Sequence, residues 1–193
     1  MGNVTAGGRV IFNPCDKGFS RSERPYGRLI RFFTRSVGEP ETMVNHVFDV
    51  TRGGTMYSAE IVEALWHVER HKLYDAYAGT NDQIAIFRPI NLTSEQKQII
   101  LQDLLSDEGD SYGYLKIPLH LIDSVLFNGR VVARKLAKHW KHQECSGKSA
   151  RAWGKAGLYF GKEPWAADPD DMWDFCVSNP DKYELIWPLQ AIR

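Results

Sequence analysis

Residues 44–66 read VNHVFDVTRGGTMYSAEIVEALW. Two runs rich in Val, Ile and aromatic residues, 44–50 and 56–66, flank Arg52-Gly53-Gly54. β-Branched and aromatic residues favour strands, and a glycine pair between such runs favours a turn. The stretch therefore predicts two antiparallel strands at hairpin distance. Alternate side chains of a strand share a face, which groups Val44, His46, Phe48 and Val50, and likewise Tyr57, Ala59, Ile61, Glu63 and Leu65. His46 and Glu63 are the polar exceptions on these two faces. A carboxylate on an apolar face is costly unless paired, and adjacent antiparallel strands can satisfy two such groups across the ladder. Glu63 is thus expected to orient His46. Taken singly, a core histidine bonded to a backbone carbonyl and an edge carboxylate reaching water or an arginine are the structural alternatives. Asn45 is the other candidate orienter.

Outward from this pair, GRVIF (8–12) reads as a short strand closed by Asn13-Pro14. Residues 17–42 are basic and rich in Gly, Ser and Pro around RLIRFF, which reads as a long excursion carrying one short helix. On the other side, QIAIFRP (83–89) reads as a strand. TSEQKQIILQDLLSDE (93–108) opens with a capping pattern and carries Ile99, Ile100 and Leu104 at helical spacing. Residues 115–140 predict one or two more helices, interrupted near Asn128-Gly129. SGKSARAWGKAG predicts a short helix stopping at Gly157, and DPDDMWDFCVSN another, with Asp168 as N-cap before Pro169. YELIW (183–187) closes as a strand. Strands gather early and helices late, so the class is α+β with an antiparallel sheet. No linker or repeat divides the chain, and residues 1–193 form one predicted domain.

The 24 basic residues match 24 acidic ones, so no net field draws nucleic acid or anionic membrane. Three cysteines make an odd count with no paired spacing, which suits a reducing compartment rather than a disulfide framework. The opening MGNVTAGGRVIFNP lacks the apolar core of a signal peptide. No run approaches eighteen apolar residues, so no membrane span is predicted. The expected location is the cytoplasm.

The cysteine that stands apart is Cys145, in QECSGKSARAW (143–153). Its neighbours are polar and it precedes a predicted helix, where free N–H groups and the helix dipole stabilise a thiolate. Cys176, within WDFCV, reads as core packing, and Cys15 lies in a turn beside Pro14 with no assigned role. His139, His142 and Cys145 are spaced by three, and a continuing helix would align them as zinc ligands. The helix start at 143–147 argues against that continuity. His67 and His71, in HVERHKL, are expected to be exposed.

These residues together resemble the permuted papain-like amidases (the YiiX/YaeF-like group), relatives of the NlpC-type cell-wall peptidases. In that group the histidine comes first, on an early strand, and the cysteine opens a late helix; here His46 precedes Cys145. GRVIFNP resembles the family's opening strand, VNHVFDV its histidine strand, and IVEAL the strand carrying its acidic third member. SYGYL resembles its aromatic segment and ECSGKSARAW its nucleophile motif. Two positions depart from the pattern. Arg9 stands where an aspartate is common, and Lys148 stands where the nucleophile helix usually carries an apolar residue.

The resemblance implies a circularly permuted papain-like fold, a small antiparallel sheet or half-barrel packed against helices. It implies hydrolysis of a peptide, amide or acyl substrate through an acyl-thioester on Cys145. His46 would be base and acid, Glu63 would hold its ring, and the Cys145 N–H would form part of an oxyanion hole. Tyr112 is the implied substrate-binding residue, with Tyr114 the alternative. No metal or organic cofactor is implied. Acyl transfer on lipids with the same triad, and a non-catalytic binding module, are the readings from other classes.

Overall fold

The computed structural model describes residues 10–22, 44–64, 67–110 and 145–192. Among these, six strands form one antiparallel sheet: β1 (Lys17–Arg21), β2 (His46–Arg52), β3 (Glu60–Ala64), β4 (Val68–Lys72), β5 (Gln83–Pro89) and β6 (Tyr183–Ala191). Their order across the sheet is β4-β3-β2-β1-β5-β6. The helices are α1 (Leu73–Tyr77), α2 (Ser94–Ser106), α3 (Cys145–Lys155) and α4 (Pro169–Ser178). The α+β class with an antiparallel sheet is what the structure shows, in the form of an open sheet. Among the described residues, no helix is long and apolar enough to cross a membrane.

Local chemistry explains most of these elements. Residues 53–59 join β2 to β3, with Gly54 bridged to Phe12 and the turn itself closed on Thr55; Phe48 lies opposite Glu63 and Val50 opposite Ile61. Thr93 and Gln96 form a reciprocal capping box at the start of α2. Gly157, at φ +78°, ends the turn after α3. Pro169 occupies the first turn of α4 behind Asp168. Gly18 faces Phe48 across the β1–β2 pair, and the Phe48 ring fills the space where a Cβ would stand.

Four expectations change. Of GRVIF only residues 10–12 are described, and there Phe12 alone makes an isolated bridge to Gly54. The start of the supposed excursion, Lys17–Arg21, is β1, paired with both β2 and β5. Within the described part of the run, 56–64, the strand covers only Glu60–Ala64, since Ser58 and Ala59 bond back to Thr55 as a turn. HVERHKL contains β4, an edge strand, so His71 is only partly exposed while His67 is exposed. The helices expected over 115–140 lie outside the described residues.

Both faces of the sheet are covered. On one, Phe48, Val50, Ile61, Ile84 and Ile86 pack under Leu73 and Tyr77 of α1. On the other, Phe19, Val47, Val62 and Phe87 pack under α2, α3 and α4 through residues such as Leu104, Trp153 and Met172. This second face also encloses an ion pair. Lys17 and Asp49, opposite each other on β1 and β2, meet with Nζ 3.1 Å from both carboxylate oxygens. The same carboxylate accepts from Ser149 Oγ at 2.6 Å and from Trp153 Nε1 at 2.8 Å. One buried anion therefore fastens α3 to the centre of the sheet.

A second buried acid ties α4 to the strand that begins at His46. Asp170 Oδ1 accepts the Val44 N–H at 3.0 Å. Its Oδ2 has no hydrogen-bond partner among the described residues. Burial pushes this carboxyl from 3.8 up to about 7, opposed by the Val44 bond and reinforced by Asp174, Asp168 and Asp171. The folded state then binds this proton more tightly than the unfolded chain, so stability falls as pH rises from 3.8 to about 7. Asp170→Asn should remove that part of the slope and raise the urea midpoint at pH 8 more than at pH 5. Parallel midpoint curves for the two proteins would show that Asp170 ionises without cost.

Candidate active site

The β2–β3 register carries the first half of the site. Phe48 lies opposite Glu63, so His46 and Glu63 leave the sheet on one face as diagonal neighbours, within reach of long side chains. His46 Nε2 stands 2.9 Å from Glu63 Oε2. An ionised carboxylate can only accept, so Nε2 carries the proton and donates. Nδ1 is then the ring nitrogen that can act as base. The expected pairing of the two polar residues is present in the geometry.

Tyr77, at the end of α1, donates its hydroxyl to the same Glu63 oxygen at 2.9 Å. Burial alone would raise the Glu63 carboxyl, but the His46 hydrogen bond and charge, the Tyr77 hydroxyl and the His71 charge outweigh it. The net effect holds Glu63 below the ordinary carboxylate range, so it is an anion at neutral pH. Burial and the Glu63 charge push the Tyr77 phenol well above its usual value, so Tyr77 remains a donor. His71 reaches the edge of this group, with Nε2 3.9 Å from Glu63 Oε1 and 3.3 Å from Glu69.

The backbone of Cys145 opens α3; its side chain is not among the described atoms. The helix packs on the face opposite His46, so the ends of the elements decide whether the two can meet. Ser149 and Trp153 both bond Asp49, the fourth residue of β2. The Trp153 ring lies 6.3 Å from Tyr183, which pairs with Pro89 at the far end of β5. The later part of α3 thus sits over Asp49 and the end of β2, and its start points back toward His46.

The contacts with α2 agree. Lys155 and Arg151 bond Asp103, whereas Arg151 and Lys148 face Asp107. The two helices are therefore antiparallel, and α2 ends beside the start of α3. Just beyond it, the Asp110 carbonyl accepts the Val68 N–H, where β4 pairs with the end of β3. α3 therefore starts toward the end of the sheet at which β2 begins with His46.

Lys148 is not the solvated cation that its charge suggests. Its side chain is 4% exposed, and Nζ lies 3.8 Å from Asp107 Oδ2. Beside it is a cavity of about 10 Å³, lined by Val47, Asp49, Val62, Leu104 and Ser149, roughly the room one water needs. Tyr112, Tyr114, His139 and His142 lie outside the described residues.

No family model matches the chain, and no curated protein matches it. Among solved structures, it is similar to metalloprotein yiiX from Escherichia coli O157:H7, with 17% identity and a TM-score of 0.53. The match covers 78% of this chain and 69% of that one. The chain has a yiiX-like fold. That neighbour is described as a metalloprotein. Among the described residues of this chain, no group of three or more His, Cys, Asp or Glu side chains could hold a metal ion, so the described donor set does not fit one.

Proposed function

We propose that the chain is a cysteine-dependent hydrolase of an amide bond, peptide or isopeptide, working through an acyl-thioester on Cys145. The observation that carries this reading is the 2.9 Å hydrogen bond between His46 and Glu63, at the sheet end where the Cys145 helix starts. A thiol hydrolase needs a thiolate, an imidazole to share its proton and a group that fixes the imidazole. His46 Nδ1 takes the Cys145 proton, and Sγ attacks the substrate carbonyl. The Cys145 N–H, at the first position of α3, holds part of the oxyanion. His46 returns the proton to the leaving amine, then activates the water that cleaves the thioester. Glu63 stabilises the imidazolium throughout, and Tyr77 fixes Glu63.

The yiiX-like fold supports the same reading through the permuted papain-like resemblance. Hydrolysis or transfer of a lipid acyl group would use the same residues and is separated from amide cleavage by substrate screening.

The first test is thiol reactivity. Cys15 and Cys176 are fully buried, and burial pushes both thiols up to about 12. Sub-stoichiometric iodoacetamide near neutral pH should label Cys145 at least tenfold faster than either, because the thiolate is the reactive form. Peptide mapping by mass spectrometry reads the ratio. Equal labelling, or labelling only after denaturation, would remove Cys145 as nucleophile and favour a binding module.

A further inference from the structure

We propose that Lys148 is the positioning residue that sets the ionisation of Cys145, its enclosed ammonium holding the thiol as thiolate. This rests on the reading of Cys145 as nucleophile and adds to it what activates the thiol.

The two residues are three apart on α3, so their backbone positions share one side of the helix. Helical side chains lean toward the N-terminus, which carries the Lys148 stem over the turn that Cys145 opens. The amine is buried, and Nζ has no hydrogen-bond partner among the described residues. Asp107 is 3.8 Å away, beyond hydrogen-bond reach, and it is already engaged by Arg151 and by Ser106.

The other charges around Lys148 leave it under-compensated. On α2, Asp103 is held by Arg151 and Lys155. On the sheet, Asp49 is neutralised by Lys17, and Glu63, beside the same cavity, is taken by His46. Arg151 on α3 itself opposes the ammonium. Burial pulls Lys148 below the ordinary lysine range against the attraction of Asp107, as expected of a charge with too few partners. In such a setting a cation shifts a neighbouring acid further than it would in water. A thiolate at Cys145 would supply the missing counter-charge, and each ion would stabilise the other.

The test is the pH dependence of Cys145 alkylation by iodoacetamide in the full chain, mapped by mass spectrometry from pH 5 to 10. Lys148→Met keeps the stem and removes the charge. It should raise the midpoint by about 1–2 units and slow labelling at pH 6 by about 10–100-fold. Lys148→Arg should stay within about half a unit of wild type, since it keeps the charge. Asp107→Asn changes a partly exposed residue and should lower the midpoint by freeing the ammonium, which supplies a readout even where Lys148→Met fails to fold. An unshifted midpoint in Lys148→Met, or an unchanged or raised one in Asp107→Asn, overturns the role of Lys148 and leaves the nucleophile standing. A wild-type midpoint near the ordinary thiol value, about 8.5, overturns both.

Discussion

Asp49→Ala should cost about 3–5 kcal/mol of folding stability, enough to unfold an ordinary domain. The substitution takes the Asp49 carboxylate from the Lys17 ammonium in a fully buried site. It also takes the acceptor from Ser149 and from Trp153 Nε1. Breaking one side of a buried pair is expensive because the remaining charge has lost its compensation, whereas replacing both sides with apolar groups of similar volume is often neutral. The double variant Lys17→Met, Asp49→Leu should therefore recover most of the stability lost in Asp49→Ala. Urea unfolding followed by tryptophan fluorescence measures both. An Asp49→Ala cost under 1 kcal/mol would mean that Lys17 escapes to solvent and that the clamp on α3 is weak.

Glu63→Gln should fold normally yet lose about two to four orders of magnitude in turnover. The glutamine amide oxygen can still accept from both His46 and Tyr77, so the geometry survives. What is lost is the negative charge that stabilises the imidazolium and selects the tautomer protonated on Nε2. Glu60→Gln is the control. Its carboxylate leaves β3 on the other face and pairs with exposed Arg52, so turnover should change less than twofold. The assay uses whichever short peptide amide or acyl ester the wild-type protein cleaves. Retention of activity within threefold in Glu63→Gln would retire Glu63 as orienter, and greater damage from Glu60→Gln would reassign the role.

The parts legible in sequence are those whose signal is local. The hairpin, the capped helix α2 and Pro169 behind Asp168 each carry their cause within a few residues. The His46–Glu63 pair was legible because strand alternation leaves each as a polar exception on an apolar face. β1 was not, because KGFSR offers a lysine and a glycine where a central strand should be apolar. Its justification lies far away. Asp49 is 32 residues on and Trp153 136, and the Phe48 ring takes the room beside Gly18. β4 escaped because VERHK is an edge strand held by backbone pairing with little apolar pattern. Tyr77 escaped because a phenol at the end of a five-residue helix reads as packing until its partner is known.

The position of β1 has a consequence for biosynthesis. A growing chain emerges N-terminus first, at about 5–20 residues per second. Within this sequence the strand at the middle of the sheet is made before its neighbours, and its lysine and Asp49 emerge within seconds of each other. Ser149 and Trp153, which complete the enclosure of that pair, follow roughly a hundred residues later. For that interval the half-built sheet displays the apolar face that α3 and α4 will cover. Hydrophobic surface of this kind is where chaperones bind nascent chains. The helix that would carry the proposed nucleophile is thus also one that closes the core, and the proposed site could not assemble before that face is covered.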